Sequence, residues 1–352
     1  MGTVNASADR AIDVGAVSAW MDERGLGGGA LSNLVEIGGG TQNVMLRFAR
    51  EGREYVLRRG PRHLRPTSNG ALSNEIRVLR ALSDTPVPHP RLIAACTDLE
   101  ILGGAVFYLM EPVAGFNASV ELPTPHADDA AMRNDMGIKL IDALVTLGQV
   151  NHHTVGLGDL GRPKGFLERQ VPRWLREMEG YSAFGGYPGP AFPRVTVVAD
   201  WLERNRPTSF APGLMHGDFH LANVMFSLNG PEVAAIVDWE MCTVGDPLLD
   251  LGWVLATWPE AAQAYDLFDS PLAKAGGLAT TAQLVKRYAK QSDRDLSAIS
   301  WYAVLACFKL AILLEGTYAR SCAGKAPKPV GERLHGLAMH LFERAHNVIA
   351  TA

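Results

Sequence analysis

Three side chains within a short span could do chemistry together. Asp218 and Asn223 lie in Leu214-Met-His-Gly-Asp-Phe-His-Leu-Ala-Asn-Val-Met-Phe226, and Asp238 lies in Ala235-Ile-Val-Asp-Trp-Glu240. Their types and spacing suit the transfer of a phosphoryl group from a nucleotide to a hydroxyl. That reaction needs a carboxylate to orient and deprotonate the hydroxyl, and oxygen ligands for the magnesium that bridges the phosphates. Asp218, in a loop after a histidine and a glycine, is the candidate base. Asn223 offers a neutral amide oxygen and Asp238 a charged one, both hard ligands suited to magnesium. Each segment reads as a strand leading into a polar turn, over 213–215, 224–226 and 233–237. A turn-rich loop with chance carboxylates is the plain alternative, and the agreement of two separate segments argues against it.

The elements that must position these groups follow from periodicity. Ala11 to Gly25 reads as an amphipathic helix ending at glycine. Alternation over Leu34–Ile37, Asn43–Phe48 and Glu54–Arg58 predicts strands, with Arg50-Glu-Gly-Arg53 as a hairpin turn. A helix over Asn74–Leu82 is stopped by Pro86, Pro88 and Pro90, and strands at Leu92–Ala94 and Ala105–Met110 follow. Beyond Gly115 the pattern turns helical, over Asp128–His153, Phe166–Glu179 and Val195–Arg206. After the catalytic segment come helices over Leu248–Thr257, Thr281–Ala289, Leu296–Arg320 and Val330–Ala350, and Tyr181–Pro193 reads as a Gly/Pro/aromatic loop. The fold expected is α+β: a sheet-rich N-terminal lobe over 1–113 that includes the cap helix, and a mainly helical lobe over 114–352 that carries the catalytic loop.

Composition narrows the function. The net charge of −4 offers no basic stripe for a phosphate backbone, so nucleic acid is not the expected partner. The 47% hydrophobic and 20% charged residues describe a globular chain, and the four cysteines form no CxxC pair, so a reduced cytoplasmic setting is expected. The N-terminus lacks the apolar core of a secretory signal, and the apolar run Trp301–Leu314 contains Lys309 and is too short to span a bilayer, so no membrane is expected.

The HGDxxxxN segment followed by Asp-Trp-Glu resembles the aminoglycoside phosphotransferase family, relatives of protein kinases in which His-Gly-Asp replaces His-Arg-Asp. Within it the chain is most similar to the kinase-like domain fused to acyl-CoA dehydrogenases in some eukaryotes, and to free-standing bacterial counterparts. The matching stretches are Tyr55–Pro61, Val87–Pro90, Phe107–Gly115, Arg169–Trp174 and Asp238–Leu251, so the similarity runs from about Leu34 to about Arg320. This resemblance implies a two-lobed, protein-kinase-like fold, with ATP (GTP not excluded) and Mg2+ as cofactors and a small-molecule hydroxyl as acceptor.

For the nucleotide, Gly38-Gly39-Gly40-Thr41-Gln42-Asn43 lies between two strand patterns, where successive glycines let backbone amides approach phosphate oxygens. Gly39, Gly40, Thr41 and Asn43 are therefore candidate contacts, although Asn43 stands where a kinase loop has its third glycine. By the resemblance, Arg58 takes the place of the lysine that holds the α- and β-phosphates, and Glu75 that of its helix partner. A guanidinium can grip phosphate bidentately, but its length and planarity change the detail. Strand alternation puts Val56 and Arg58 on one face and Tyr55, Leu57 and Arg59 on the other. The backbone of Glu111 and Val113 would meet the adenine edge, with the Glu111 carboxylate itself uninvolved.

Several residues invite stronger readings than they support. His216 and His220 lack the helix and glutamate of a zinc motif, and His216 is expected to brace the catalytic loop. His152 and His153 need only a helix-end explanation. Asp246 and Asp250 are expected to brace the metal loop and cap a helix, and Trp239 and Trp253 read as core. The helices expected to form the acceptor wall carry Arg169, Arg173, Arg176, Lys309 and Arg320 beside Glu168, Glu177 and Glu315. That mixture does not advertise a polycation site. The resemblance points instead to a hydroxyacyl-CoA or hydroxy acid. An aminoglycoside antibiotic kinase is the first alternative, and a catalytically inactive nucleotide-binding module, which would usually have lost the base or a metal ligand, is the second.

Overall fold

The computed structural model describes residues 12–38, 43–190, 194–259 and 269–351. Gly39, Gly40 and Thr41 therefore lie outside the described residues. The chain divides into two compact units, 1–114 with 235–242, and 115–234 with 243–352.

In the first unit, α1 (Val14–Asp22) is capped by the Asp13 carboxylate, which accepts from Ala16 N at 3.0 Å. Strands β1 (Ser32–Ile37), β2 (Val44–Arg50) and β3 (Arg53–Arg59) follow. Then come α2 (Ser68–Leu82), β4 (Leu92–Cys96) and β5 (Phe107–Met110). The five strands form one antiparallel sheet in the order β1-β2-β3-β5-β4. Arg50 pairs with Arg53 across a two-residue turn in which Glu51 and Gly52 both take positive φ, 47° and 77°. Such a turn matches the twist of the flanking strands, so it fixes the β2–β3 register and with it Arg58, opposite Met45 and Tyr108. Because β3 is the central strand, Tyr55 through Arg59 are all buried, and the expected alternation of faces does not mark an exposed side. Val17, Trp20 and Met21 of α1 bury against the sheet in one core, with Trp20 edge-on to Phe107 at 4.8 Å.

Helix α2 starts at Ser68, ahead of the expected Asn74. Thr67-Ser-Asn-Gly70 reads as a turn by composition, but tertiary bonds hold it helical. Asn69 donates to Gly104 O at 2.7 Å and accepts from Val106 N at 3.0 Å.

In the second unit, β6 (Phe116–Asn117) precedes α3 (Ala130–Gly148), α4 (Gln170–Gly180) and α5 (Val195–Arg204). Next come β7 (Gly213–Met215), β8 (Val224–Phe226) and β9 (Val233–Ile236), the last being the strand on which the chain crosses into the first unit. After β10 (Thr243–Gly245) the chain is helical: α6 (Leu248–Thr257), α7 (Pro271–Ala275), α8 (Thr281–Gln291), α9 (Ile299–Cys322) and α10 (Lys328–Thr351). Helix α3 stops at Gly148, so His152 and His153 fall beyond it, in a turn where Asn151 accepts from the N–H of His153 and Thr154.

β7 pairs with β10 and β6 with β8, which places the loop between β7 and β8 at the ends of two short ladders. Gly115 permits the close approach just before β6, since a Cβ there would stand 2.5 Å from Phe226 O. Helix α9 is the axis of the unit, with Trp301 donating to Leu202 O and Tyr302 to Asp246. It is longer than the apolar run Trp301–Leu314 suggests, and by length and composition it could cross a membrane. However, 67% of its apolar window is buried inside the unit, as in a core helix. Among the described residues it is the one such helix.

Candidate active site

The candidate residues fall into two clusters, one in each unit. In the second unit, the loop between β7 and β8 carries Asp218. Gly217 ahead of it has φ 86°, a conformation that suits glycine, and this turns the carboxylate out of the β7 direction. The loop is pinned from α6. The fully buried Asp250 accepts from His216 N at 2.6 Å and Gly217 N at 2.8 Å. Burial pushes Asp250 up to about 7, against the lowering effect of these two bonds. Asp250 thus braces the loop that carries Asp218, whereas the expectation had it brace the metal loop. Asp246 accepts from Leu248 N at the start of α6 and from the Tyr302 hydroxyl at 2.6 Å. His216, wholly buried, accepts from Asp218 N through Nδ1 at 3.3 Å, as a brace would.

Asp218 and Asn223 are brought together. The Asn223 amide donates to Asp218 O at 2.9 Å and to its Oδ2 at 3.2 Å, which leaves the Asn223 carbonyl oxygen as the atom available to a cation. His220 Nε2 lies 3.4 Å from Asp218 Oδ2 and 3.4 Å from the Asn223 amide. Burial would raise Asp218. The hydrogen bond and charge of His220, then Lys309 and His216, outweigh it and hold the carboxyl below the usual carboxylate range. The group is therefore ionised at neutral pH, the state a base requires. Lys309, in the middle of α9, donates to Gly217 O at 3.1 Å. Neither His220 nor Lys309 is singled out for this site by the sequence. A lysine interrupting an otherwise apolar helix was the available signal for the second.

In the first unit, Arg58 is the hub. Its Nε lies 3.1 Å from Glu75 Oε2 and its Nη2 donates to Asp238 Oδ1 at 2.5 Å, with Glu240 at 4.0 Å. Burial disfavours the charge on Arg58, but Glu75, Tyr108 and Asp238 more than restore it. Glu75 is 1% exposed and burial raises it to about 7 even with Arg58 beside it. It also accepts from Trp239 N at 3.2 Å, tying α2 to the segment after Asp238. Asp238 takes a left-handed conformation, φ 68° and ψ 63°, in which a non-glycine residue is uncommon and which Asp tolerates better than most. The conformation aims a one-third exposed carboxylate back at Arg58. Asn43 donates to Glu240 at 3.2 Å, so the sole described member of the proposed glycine-loop contacts is anchored near this cluster. Glu111 donates its N–H to Arg91 O, and its carboxylate pairs with Arg53 at 3.1 Å. Val113 is half-buried on the segment after β5. Trp239 and Trp253 are core residues, 1% and 4% exposed.

Among the described residues no three His, Cys, Asp or Glu side chains group as a metal site. Magnesium bound mainly through phosphates needs only one or two protein oxygens; the second unit offers the Asn223 carbonyl oxygen and the first, separately, the second oxygen of Asp238.

A model of the phosphotransferase enzyme family matches residues 33–285. A probable acyl-CoA dehydrogenase, IBR3, of Arabidopsis thaliana is 27% identical over 331 residues, covering 90% of this chain and 38% of its own length. The chain thus spans about two fifths of that relative. Among solved structures, a candidate aminoglycoside phosphotransferase of Ralstonia eutropha JMP134 is 27% identical, with a TM-score of 0.76 over 95% of this chain and 98% of its own. A thermostable mutant of aminoglycoside phosphotransferase APH(4)-Ia, solved with ADP and hygromycin B, is 13% identical with a TM-score of 0.58, over 93% and 98%. This last likeness shows the fold alone.

Proposed function

The chain belongs to the phosphotransferase enzyme family, and from that premise we propose that it is an ATP- and magnesium-dependent kinase for a hydroxyl on an anionic small molecule, a hydroxyacyl-CoA or hydroxy acid. The observation that carries the reading is the Asp218–Asn223 pair: a carboxylate held ionised, 3.2 Å from an amide whose carbonyl oxygen remains available. In this reading Asp218 accepts the proton of the acceptor hydroxyl as the oxygen attacks phosphorus. His220 holds the carboxylate in place, and Asp250 fixes the backbone beneath it. Arg58 binds the α- and β-phosphates, Glu75 orients Arg58, and Asn43 with the neighbouring glycines cradles the phosphates. The backbone of Glu111 and Val113 meets the adenine. Asn223 and Asp238 are the oxygen donors for magnesium, which when bound neutralises charge on the phosphates. ADP in the APH(4)-Ia structure supports the nucleotide assignment. The inactive-module alternative is disfavoured because base, amide and carboxylate are all retained.

Two observations support the acceptor class. The relative from Arabidopsis is named for acyl-CoA chemistry. The helices expected to form the acceptor wall carry at least as many basic residues as acidic ones, whereas desolvating a polycation calls for clustered carboxylates. The test is kcat/KM, from ADP release at one ionic strength, for hydroxyacyl-CoA thioesters, hydroxy acids and kanamycin-type aminoglycosides. A larger value for the anionic compounds is expected, and a larger value for an aminoglycoside would replace this reading with that of an antibiotic kinase.

A further inference from the structure

Two cations in the second unit share one aromatic ring, and neither is assigned a ligand in the chemistry above. Lys309 donates its one hydrogen bond to Gly217 O, and its ammonium stands 4.2 Å from the Trp253 ring centre and 5.5 Å from that of Trp174. Arg173, exposed on α4, holds its guanidinium carbon 5.0 Å from the same Trp174 ring. One indole therefore carries both charges. Neither forms an ion pair with a carboxylate among the described residues. The two acids near Lys309 are otherwise engaged, Asp250 with two backbone amides and Asp218 with His220. Burial foremost lowers Lys309, Arg173 adds to that effect, and Asp218 with Asp250 opposes it. Cations that repel across one aromatic ring gain most when an oxyanion joins them, since each can then make a charge-assisted hydrogen bond.

Two other basic residues named for this wall have partners elsewhere. Arg169 is spent on the carbonyls of Arg162 and Lys164, and Arg320 donates to Thr317 on its own helix. We infer that Lys309 and Arg173, organised on Trp174, form an oxyanion subsite that recognises the acceptor. Its ligand is the carboxylate of a hydroxy acid or a phosphate of a nucleotide-linked one such as a CoA thioester. This inference rests on the phosphotransferase reading and narrows its substrate class to compounds carrying that charge within reach of Asp218.

The test uses Arg173→Gln, which removes an exposed charge and leaves the core intact, with Lys309→Met as a second variant once its thermal melt matches wild type. Inorganic phosphate titrated into the nucleotide-free protein should change tryptophan fluorescence saturably. In Arg173→Gln the affinity should fall roughly tenfold or more, the loss of one charged hydrogen bond. No saturable change in wild type, or an unchanged affinity in Arg173→Gln, overturns the subsite. In parallel, kcat/KM is measured on a hydroxy acid, its methyl ester and its CoA thioester. Arg173→Gln should lose roughly tenfold or more on a charged member and stay within about twofold on the neutral ester. A loss on the acid assigns the carboxylate, and a loss confined to the thioester assigns the CoA phosphates. Equal losses on charged and neutral acceptors overturn the inference. If wild type phosphorylates none of the three, the acceptor reading fails, and the phosphate titration still decides the subsite.

Discussion

The cluster around Arg58 and the cluster around Asp218 solve opposite electrostatic problems. Around Arg58 the charges close on one another: Glu75, Asp238 and the more distant Glu240 surround one buried guanidinium, and Glu75 is rendered so dry that its carboxyl rises to about 7. Around Asp218 the balance is reversed, with the hydrogen bond and charge of His220, then Lys309, holding a carboxylate ionised. A closed ion-pair network keeps its shape without a ligand. A carboxylate held ionised by positive neighbours is unprotonated at neutral pH, free to accept a proton, and a weak base until substrate changes its surroundings. The contrast suggests a division of labour, with the first cluster built to hold and the second built to react.

The sharpest way to break that contrast is Asp218→Ala. Losing a general base costs about 10²–10⁴ in rate, so kcat should collapse while the nucleotide affinity stays within a few-fold. Turnover above about a tenth of wild type lies below that range and would remove Asp218 from the role.

A smaller effect probes the closed cluster through pH. Burial places Glu75 at about 7 in the folded protein, above the ordinary value of 4.5. Between those values the folded state binds a proton that the unfolded chain has released. The contribution of this group to stability is therefore full below about 4.5, declines as pH rises, and is lost above about 7. Urea unfolding from pH 5 to pH 8 should show a shallower decline with pH for Glu75→Gln than for wild type. Identical slopes would mean that Arg58 keeps Glu75 ionised throughout.

What the sequence reveals and what it hides divide along similar lines. The Asp218–Asn223 pair is legible because five residues separate its members, a short-range spacing that a chain writes directly. So is the β2–β3 hairpin, since Glu51-Gly52 is local turn chemistry. The start of α2 at Ser68 is not legible, because Asn69 is held by Gly104 and Val106, far away in the chain. The burial of both faces of β3 follows from its central place in the sheet, which periodicity cannot see. The contacts of His220 and Lys309 with the Asp218 loop are hidden for related reasons. The first turns toward Asp218 only once the loop has folded, and the second reaches Gly217 from a helix distant in sequence.

The division of labour is tested most directly by titrating ATP, with and without magnesium, into wild type, Asp218→Ala and Asp238→Asn under one set of conditions. Asp238→Asn turns a charged metal ligand into a neutral one, so it should lose most of the magnesium-dependent gain in ATP affinity. Asp218→Ala should bind as wild type does in both titrations. Full magnesium dependence in Asp238→Asn, or failure of Asp218→Ala to bind nucleotide, would contradict the account.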